Sequence, residues 1–174
     1  MKTKKAIFLD RDGTIIIDKN YLSRVEDIEY FPDTFKALKI FEDLGFELFI
    51  VTNQSGVGRG YFSLENVHLI HKQLQNDLRE VKLSPFKDFA ICPHSPDENC
   101  ECRKPHPKMI LDLISKYKID PEKSYMIGDK LIDAQCGVNA GVKGIVIRQE
   151  QSDKTHPYFK TLLEFAQALE NKLV

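Results

Sequence analysis

The chain has 174 residues, 42% of them apolar and 29% charged, with a formal net charge of −1 at pH 7. This is an ordinary soluble globular composition, long enough for one sizeable core, so a single domain is expected over residues 1–174. The near-neutral balance gives no electrostatic reason to expect nucleic acid or a membrane as a partner, and the chain is expected to act as a monomer.

The start, M-K-T-K-K-A-I-F-L-D, is basic, but its apolar run is only four residues before Asp10. That is too short for a signal peptide or a membrane span, and a cytoplasmic location is expected. Lys2, Lys4 and Lys5 read as a solvated end. Ala6–Asp10 is the first expected strand. A helix over Asp33–Leu44 carries Phe35, Leu38, Phe41 and Leu44 at helical spacing and stops at Gly45. Glu47–Thr52 is the second strand. Ser63–Glu80 opens S-L-E-N, a capping signal, and continues as a helix with Leu64, Val67, Leu74 and Leu78. Asp88–Cys92 is the third strand. Pro107 opens a helix with Met109, Ile110, Leu113, Ile114 and Tyr117. Ser124–Gly128, the helix Lys130–Ala140, the strand Gly144–Ile147 and a last helix over Phe159–Leu173 complete the pattern.

The strand runs are continuous rather than alternating, as in strands covered on both faces. Alternating strand and helix predicts an α/β fold, a doubly wound, Rossmann-like parallel sheet with helices on both sides. Ligands in such sheets bind beyond the carboxyl ends of the strands.

The unusual residues fall at those ends. Asp10 and Asp12 follow the first strand in F-L-D-R-D-G-T. Two carboxylates so close either lie solvated in a turn or share a hard divalent cation such as Mg²⁺. V-T-N-Q-S-G follows the second strand and offers Thr52, Asn53, Gln54 and Ser55 to an oxyanion. Arg103 and Lys104 could hold a phosphate. M-I-G-D-K-L-I-D puts Asp129 at the end of the fourth strand and Asp133 one turn along the next helix, where it can support the metal site from behind.

Three of the four cysteines lie between Cys92 and Cys102, in C-P-H-S-P-D-E-N-C-E-C-R-K. Cys92, His94, Cys100 and Cys102 make a ligand set suited to closed structural zinc. A disulfide would leave one thiol over, and a C-x-x-C redox pair is missing. His106 is a substitute donor, but His94 needs no distant chain reversal. Zinc is expected to order this loop and so aim Arg103 and Lys104.

D-x-D-G-T, a strand ending in Thr, a Lys and G-D-x-x-x-D occur in the order that resembles the haloacid dehalogenase superfamily of phosphohydrolases. The resemblance implies that Asp10 is a nucleophile and Asp12 a general acid and base. It implies that Thr52 and Lys104 hold phosphoryl oxygens, and that Asp10, the carbonyl of Asp12 and Asp129 bind Mg²⁺. Many members carry a separate cap domain; the short segments here predict a capless enzyme. C-P-H, C-x-C-R-K-P and G-D-K resemble the branch of heptose bisphosphate phosphatases and their histidinol-phosphate phosphatase relatives. That branch implies a small sugar bisphosphate as substrate, contacted by Asp18, Lys19, Asn20, Tyr21, Thr52, Asn53, Gln54, Ser55, Arg103, Lys104 and Lys130. The short loop between His94 and Cys100 keeps histidinol phosphate as the alternative. Extra cations suit a second phosphate and repel an ammonium.

Other features have blander readings. Arg59, in G-V-G-R-G, is weighed as a substrate contact against a solvated side chain. His68 and His71 are expected at the surface or partly buried, and Cys136 in the core. A phospho-accepting receiver module is the non-enzyme alternative, but its acceptor would sit on a middle strand, where this chain has Cys92.

Overall fold

Successive residues of the first strand, β1 (Ala6–Leu9), point to opposite faces of a sheet. Ile7 and Leu9 join one buried cluster, Ala6 and Phe8 the other, and all four are fully buried. Burying each of the Ile7, Phe8 and Leu9 side chains contributes about 1.5–3 kcal/mol. The continuous apolar run is therefore the signature of a central strand. The computed structural model describes residues 4–149 and 155–174, so Lys2 lies outside the described residues.

Five further strands complete the sheet: β2 (Glu47–Asn53), β3 (Asp88–Cys92), β4 (Tyr125–Gly128), β5 (Lys143–Ile147) and β6 (Tyr158–Phe159). Their order is β3-β2-β1-β4-β5-β6, and every pairing is parallel. Helices α1 (Thr34–Asp43), α3 (Leu64–Glu80) and α6 (Leu162–Glu170) cover the face holding Ile7 and Leu9. Helices α4 (Lys108–Tyr117) and α5 (Leu131–Asn139) cover the other. The α/β doubly wound architecture is as the sequence predicts.

The chain winds from β1 toward β2 and β3, then returns past β1 to β4. The strand order thus reverses between β1 and β4, where a crevice must open at the carboxyl ends. Between β1 and β2 the chain builds only loops, one turn of 3₁₀ helix and α1; between β2 and β3 it builds α3 and one further short helix, α2 (Ser55–Gly58).

The caps are informative. Ser63 precedes α3 and accepts from the backbone of Asn66, while the Asn66 side chain accepts from Ser63 N, so S-L-E-N forms a capping box. At the far end the sequence expectation needs correction. Phe159 is not helical; with Tyr158 it pairs with Val146 and Ile147 as β6. The helix begins only at Leu162, because the Thr161 hydroxyl caps it by accepting from Glu164 N at 3.0 Å. The run G-V-G-R-G at Gly56–Gly60 reads as a turn from sequence, but its first three residues belong to α2.

Candidate active site

Asp10 leaves β1 with its backbone N–H donating to Ile127 O of β4 at 2.9 Å, which pins the start of the loop to the switch point. Its Oδ1 accepts from Lys104 Nζ at 2.7 Å. The same ammonium lies 2.7 Å from Asp133 Oδ1 and donates to Val51 O at 2.8 Å, so its three donors are all engaged. Lys104 is 3% exposed. Burial would lower its pKa, but the charges of Asp10 and Asp133 outweigh that and raise it. Lys104 is therefore a fixed cation.

The acids respond to the same crowding. Burial pushes Asp10 up to about 7, against the pull of Lys104 and with help from Asp133 and Asp12. Asp129 is raised to about 6, again chiefly by burial. Oxygen atoms of Asp10, Asp129 and Asp133 lie within 4.8 Å of one another. Three carboxylates around one ammonium leave two negative charges over when ionised.

A hard divalent cation fits that excess. Asp129 Oδ1 is buried without a hydrogen-bond partner, an orphan that a metal would satisfy. Asp133 is already used on both oxygens, by Lys104 Nζ and by Lys130 N at 3.0 Å. The residues that remain suited to a cation are Asp10 and Asp129.

The cysteine cluster lies beside this floor. Cys92 Sγ is 3.6 Å from both Cys100 Sγ and His94 Nδ1, and Cys102 Sγ is 3.3 Å from His94 Nδ1. A tetrahedron with metal–sulfur arms of about 2.3 Å has sulfur–sulfur edges of roughly 3.8 Å, so the donors are spaced for zinc. His106 is exposed, and its carbonyl accepts from Cys136 Sγ at 3.2 Å. Cys136 is buried, which pushes its thiol up to about 12, in keeping with a core role.

Backbone bonds connect the cluster to the segment after β2. Gln54 N donates to Cys92 O at 2.7 Å and Gly58 N to Pro93 O at 2.8 Å. A β-carbon at Gly58 would lie 2.4 Å from Ser95 N, so the loop is seated directly on α2. Asn53 brackets the backbone of Lys104, its Oδ1 accepting from Lys104 N at 3.1 Å and its Nδ2 donating to Lys104 O at 3.4 Å.

A pocket of about 220 Å³ opens above Asp10. It brings together Asp10, Asp12, Asp18, Asn20, Tyr21, Asn53, Gln54, Ser55, Arg103, Lys104, Lys130 and Asp133 from the residues singled out in the sequence. Asp129 does not line it, and neither do three of the expected substrate contacts. Lys19 pairs with Glu29. Arg59 is exposed at the end of α2. Thr52 is fully buried beneath the pocket, its Oγ1 accepting from Gln54 Nε2 at 2.8 Å.

Sequence reasoning passed over Arg11, which is fully buried, and placed His71 too near the surface. His71 is only 4% exposed, while His68 is exposed. The available signal was spacing, since His71 falls on the helix stripe of Val67, Leu74 and Leu78. An arginine between two aspartates at the end of a core strand also gives a signal, since it has acids to pair with in the interior.

The haloacid dehalogenase-like hydrolase family profile matches residues 10–147. The chain is 43% identical over 155 residues to D-glycero-beta-D-manno-heptose-1,7-bisphosphate 7-phosphatase of Helicobacter pylori, covering 89% of this chain and 90% of that one. It is 36% identical over 174 residues to D-glycero-alpha-D-manno-heptose-1,7-bisphosphate 7-phosphatase of Campylobacter jejuni, covering 99% of each. The crystal structure of D,D-heptose 1,7-bisphosphate phosphatase from B. bronchiseptica, complexed with magnesium and phosphate, superposes with a TM-score of 0.87 at 26% identity. That match covers 97% of this chain and 99% of the other.

Proposed function

The chain belongs to the haloacid dehalogenase-like hydrolase family, and on that premise we propose that it removes the 7-phosphate of D-glycero-D-manno-heptose 1,7-bisphosphate. The observation that carries this reading is the Asp10–Lys104 contact of 2.7 Å at the floor of a pocket that Arg103 and Lys130 also line.

Asp10 attacks phosphorus, forming an aspartyl phosphate as the bond to the sugar oxygen breaks. Asp12 gives its proton to that oxygen, a contribution typically worth roughly 10²–10⁴ in rate. It then takes a proton from the water that attacks the aspartyl phosphate, which releases inorganic phosphate and restores Asp10. Lys104 offsets the repulsion between an anionic nucleophile and an anionic substrate. Its donors are already engaged, so a phosphoryl oxygen must share or replace one of those contacts. Thr52 accepts from Gln54 and keeps its own hydroxyl proton for a phosphoryl oxygen. Asp133 holds Lys104 in place from behind.

Asp10, the carbonyl of Asp12 and Asp129 would hold Mg²⁺, which supplies neutralisation of charge on the phosphoryl oxygens when bound. Cys92, His94, Cys100 and Cys102 would hold zinc, ordering the loop that presents Arg103 and Lys104. Arg103 and Lys130 suit the second phosphate, with Asp18, Asn20, Tyr21 and Ser55 left to face the sugar. Lys19 and Arg59 are omitted from these contacts because Lys19 pairs with Glu29 and Arg59 is exposed at the end of α2. In this reading the enzyme acts as a capless monomer in the cytoplasm, where thiol ligands stay reduced. Among the described residues no helix is long and apolar enough to cross a membrane.

The test is turnover with Mg²⁺ of both anomers of the heptose bisphosphate beside histidinol phosphate. A preference for a heptose bisphosphate supports the proposal. A preference for histidinol phosphate would replace the substrate and leave the mechanism standing.

A further inference from the structure

Arg11 separates the two aspartates of D-R-D and has no exposed surface. A guanidinium carries five N–H donors and no acceptor, and in the interior those donors need partners. Nε and Nη2 grip the two carboxylate oxygens of Asp12 at 2.9 and 3.2 Å. Nη2 also donates to Gln54 Oε1 at 3.0 Å, and Nη1 lies 3.2 Å from His71 Nε2. Arginine can only donate, so His71 Nε2 is the acceptor and the imidazole is neutral, with its proton on Nδ1.

His71 is held for this task. It stacks on Phe89 of β3 with ring centroids 4.3 Å apart and planes inclined by 17°. Burial, reinforced by the charge of Arg11, pushes its pKa down to about 3, which keeps Nε2 free to accept. Nδ1 is buried without a hydrogen-bond partner, so the ring gives up one bond while making the other. Gln54 completes the frame, its Nε2 donating to Asp12 Oδ2 at 2.9 Å. Asp12 and Gln54 line the pocket, and Asp12 has 18% of its side chain exposed.

We infer that Arg11 and His71 are positioning residues for Asp12: His71 on α3 fixes the Arg11 fork, and the fork fixes the plane and direction of the Asp12 carboxylate. The inference rests on the reading of Asp12 as the general acid and base. A displacement of about 1 Å at a reacting group can cost 10²-fold in rate, so a carboxylate clamped by two parallel bonds is worth more than one free to rotate. The competing view is a staple that only ties the loop after β1 to α3. A staple would affect all substrates alike. A positioning device affects the step that needs a proton.

Two leaving groups separate these views. A sugar oxygen must be protonated as it departs, whereas p-nitrophenolate leaves as a stable anion. With enzyme in excess, a single turnover of heptose bisphosphate and the release of p-nitrophenolate from p-nitrophenyl phosphate are timed for each variant. His71→Leu should slow the sugar reaction about 10- to 100-fold and p-nitrophenolate release less than about 3-fold, with KM little changed. His71→Gln, whose amide oxygen can accept from Arg11, should recover most of the loss. Arg11→Lys, which keeps the charge but not the fork, repeats the comparison if His71→Leu does not fold. Equal slowing of both substrates, no slowing, or a rise in KM alone overturns the positioning role. Asp12→Asn is run alongside. If it lacks the same leaving-group selectivity, the assignment of Asp12 fails, and the positioning role with it. If it has the selectivity and the other variants do not, only the positioning role fails.

Discussion

The backbone of Gly13 lies against the Asp129 carboxylate so closely that a β-carbon built there would sit 2.5 Å from Oδ2. Gly13 also has φ +82°, a left-handed conformation that costs any other residue energy, and its N–H donates to Ile16 O at 2.7 Å. The glycine of D-G-T is thus fixed twice, by its turn and by the acid it faces across the switch point. Gly13→Ala is expected to displace Asp129 and lower turnover by about 10²-fold or more, while circular dichroism keeps its helical signal. Unchanged turnover with weakened folding would mean that the glycine serves the turn alone.

Lys104 joins Asp10 and Asp133 by ion pairs in the interior. Lys104→Met removes the cation and leaves both acids facing each other. Breaking one partner of a buried pair costs about 3–5 kcal/mol, so urea unfolding without added metal should show a loss of that order. Mg²⁺ should restore part of it by supplying positive charge to the same acids. A variant as stable as the parent would show that the ion pairs contribute little. Turnover should fall by at least about 10²-fold, since a charge-stabilising group is lost.

Metal removal separates the two sites. Elemental analysis should find about one zinc per chain after purification. Stripping it with a thiol-competing chelator should lower turnover at least about tenfold while Mg²⁺ is kept in excess, because the loop fastened to Gln54 and Gly58, which leads into Lys104, loses its anchor. Helical circular dichroism should change little, and re-addition of zinc should restore activity. Full turnover in zinc-free protein would break the coupling.

His71 gives the fold a pH dependence with a definite sign. Its pKa falls from 6.5 to about 3 on folding. Between those values the unfolded chain binds a proton that the folded chain refuses, so stability declines as pH falls below about 6.5, by at most roughly 1.4 kcal/mol per pH unit from this group. Urea midpoints at pH 7, 6 and 5 should drop more steeply for the parent than for His71→Gln, which cannot titrate. Parallel slopes would mean that His71 is protonated in the fold.

How much of this was written in the sequence differs by kind of residue. The central strands were legible because a strand buried on both faces must be apolar throughout, as in Ala6–Leu9; the edge strand β3 was legible from its short apolar run Phe89–Cys92, though only Cys92 is fully buried. That Asp10, Asp129, Asp133 and Lys104 would meet, and that Cys92, His94, Cys100 and Cys102 would cluster, was legible because such chemistry restricts residue type and spacing. Tyr158–Phe159 was not, since two residues become a strand only when an existing edge, Val146–Ile147, pairs with them. Gly56–Gly60 contains three glycines and reads as a turn; that its first three residues are helical, with the cysteine loop packed against Gly58, depends on a distant segment. Asn53 and Gln54 were legible as polar groups at a strand end. Their attachment to Lys104, Asp12 and Arg11 was not, because it depends on residues far away in the chain.

The central claim is that phosphate passes through Asp10. Rapid acid quench of the enzyme turning over heptose bisphosphate with Mg²⁺, followed by peptide mass spectrometry, tests it most directly. The account predicts a phosphoryl group on the peptide that carries Asp10, lost in Asp10→Asn together with turnover. A phosphoryl group on another residue, or brisk turnover by Asp10→Asn, would contradict it.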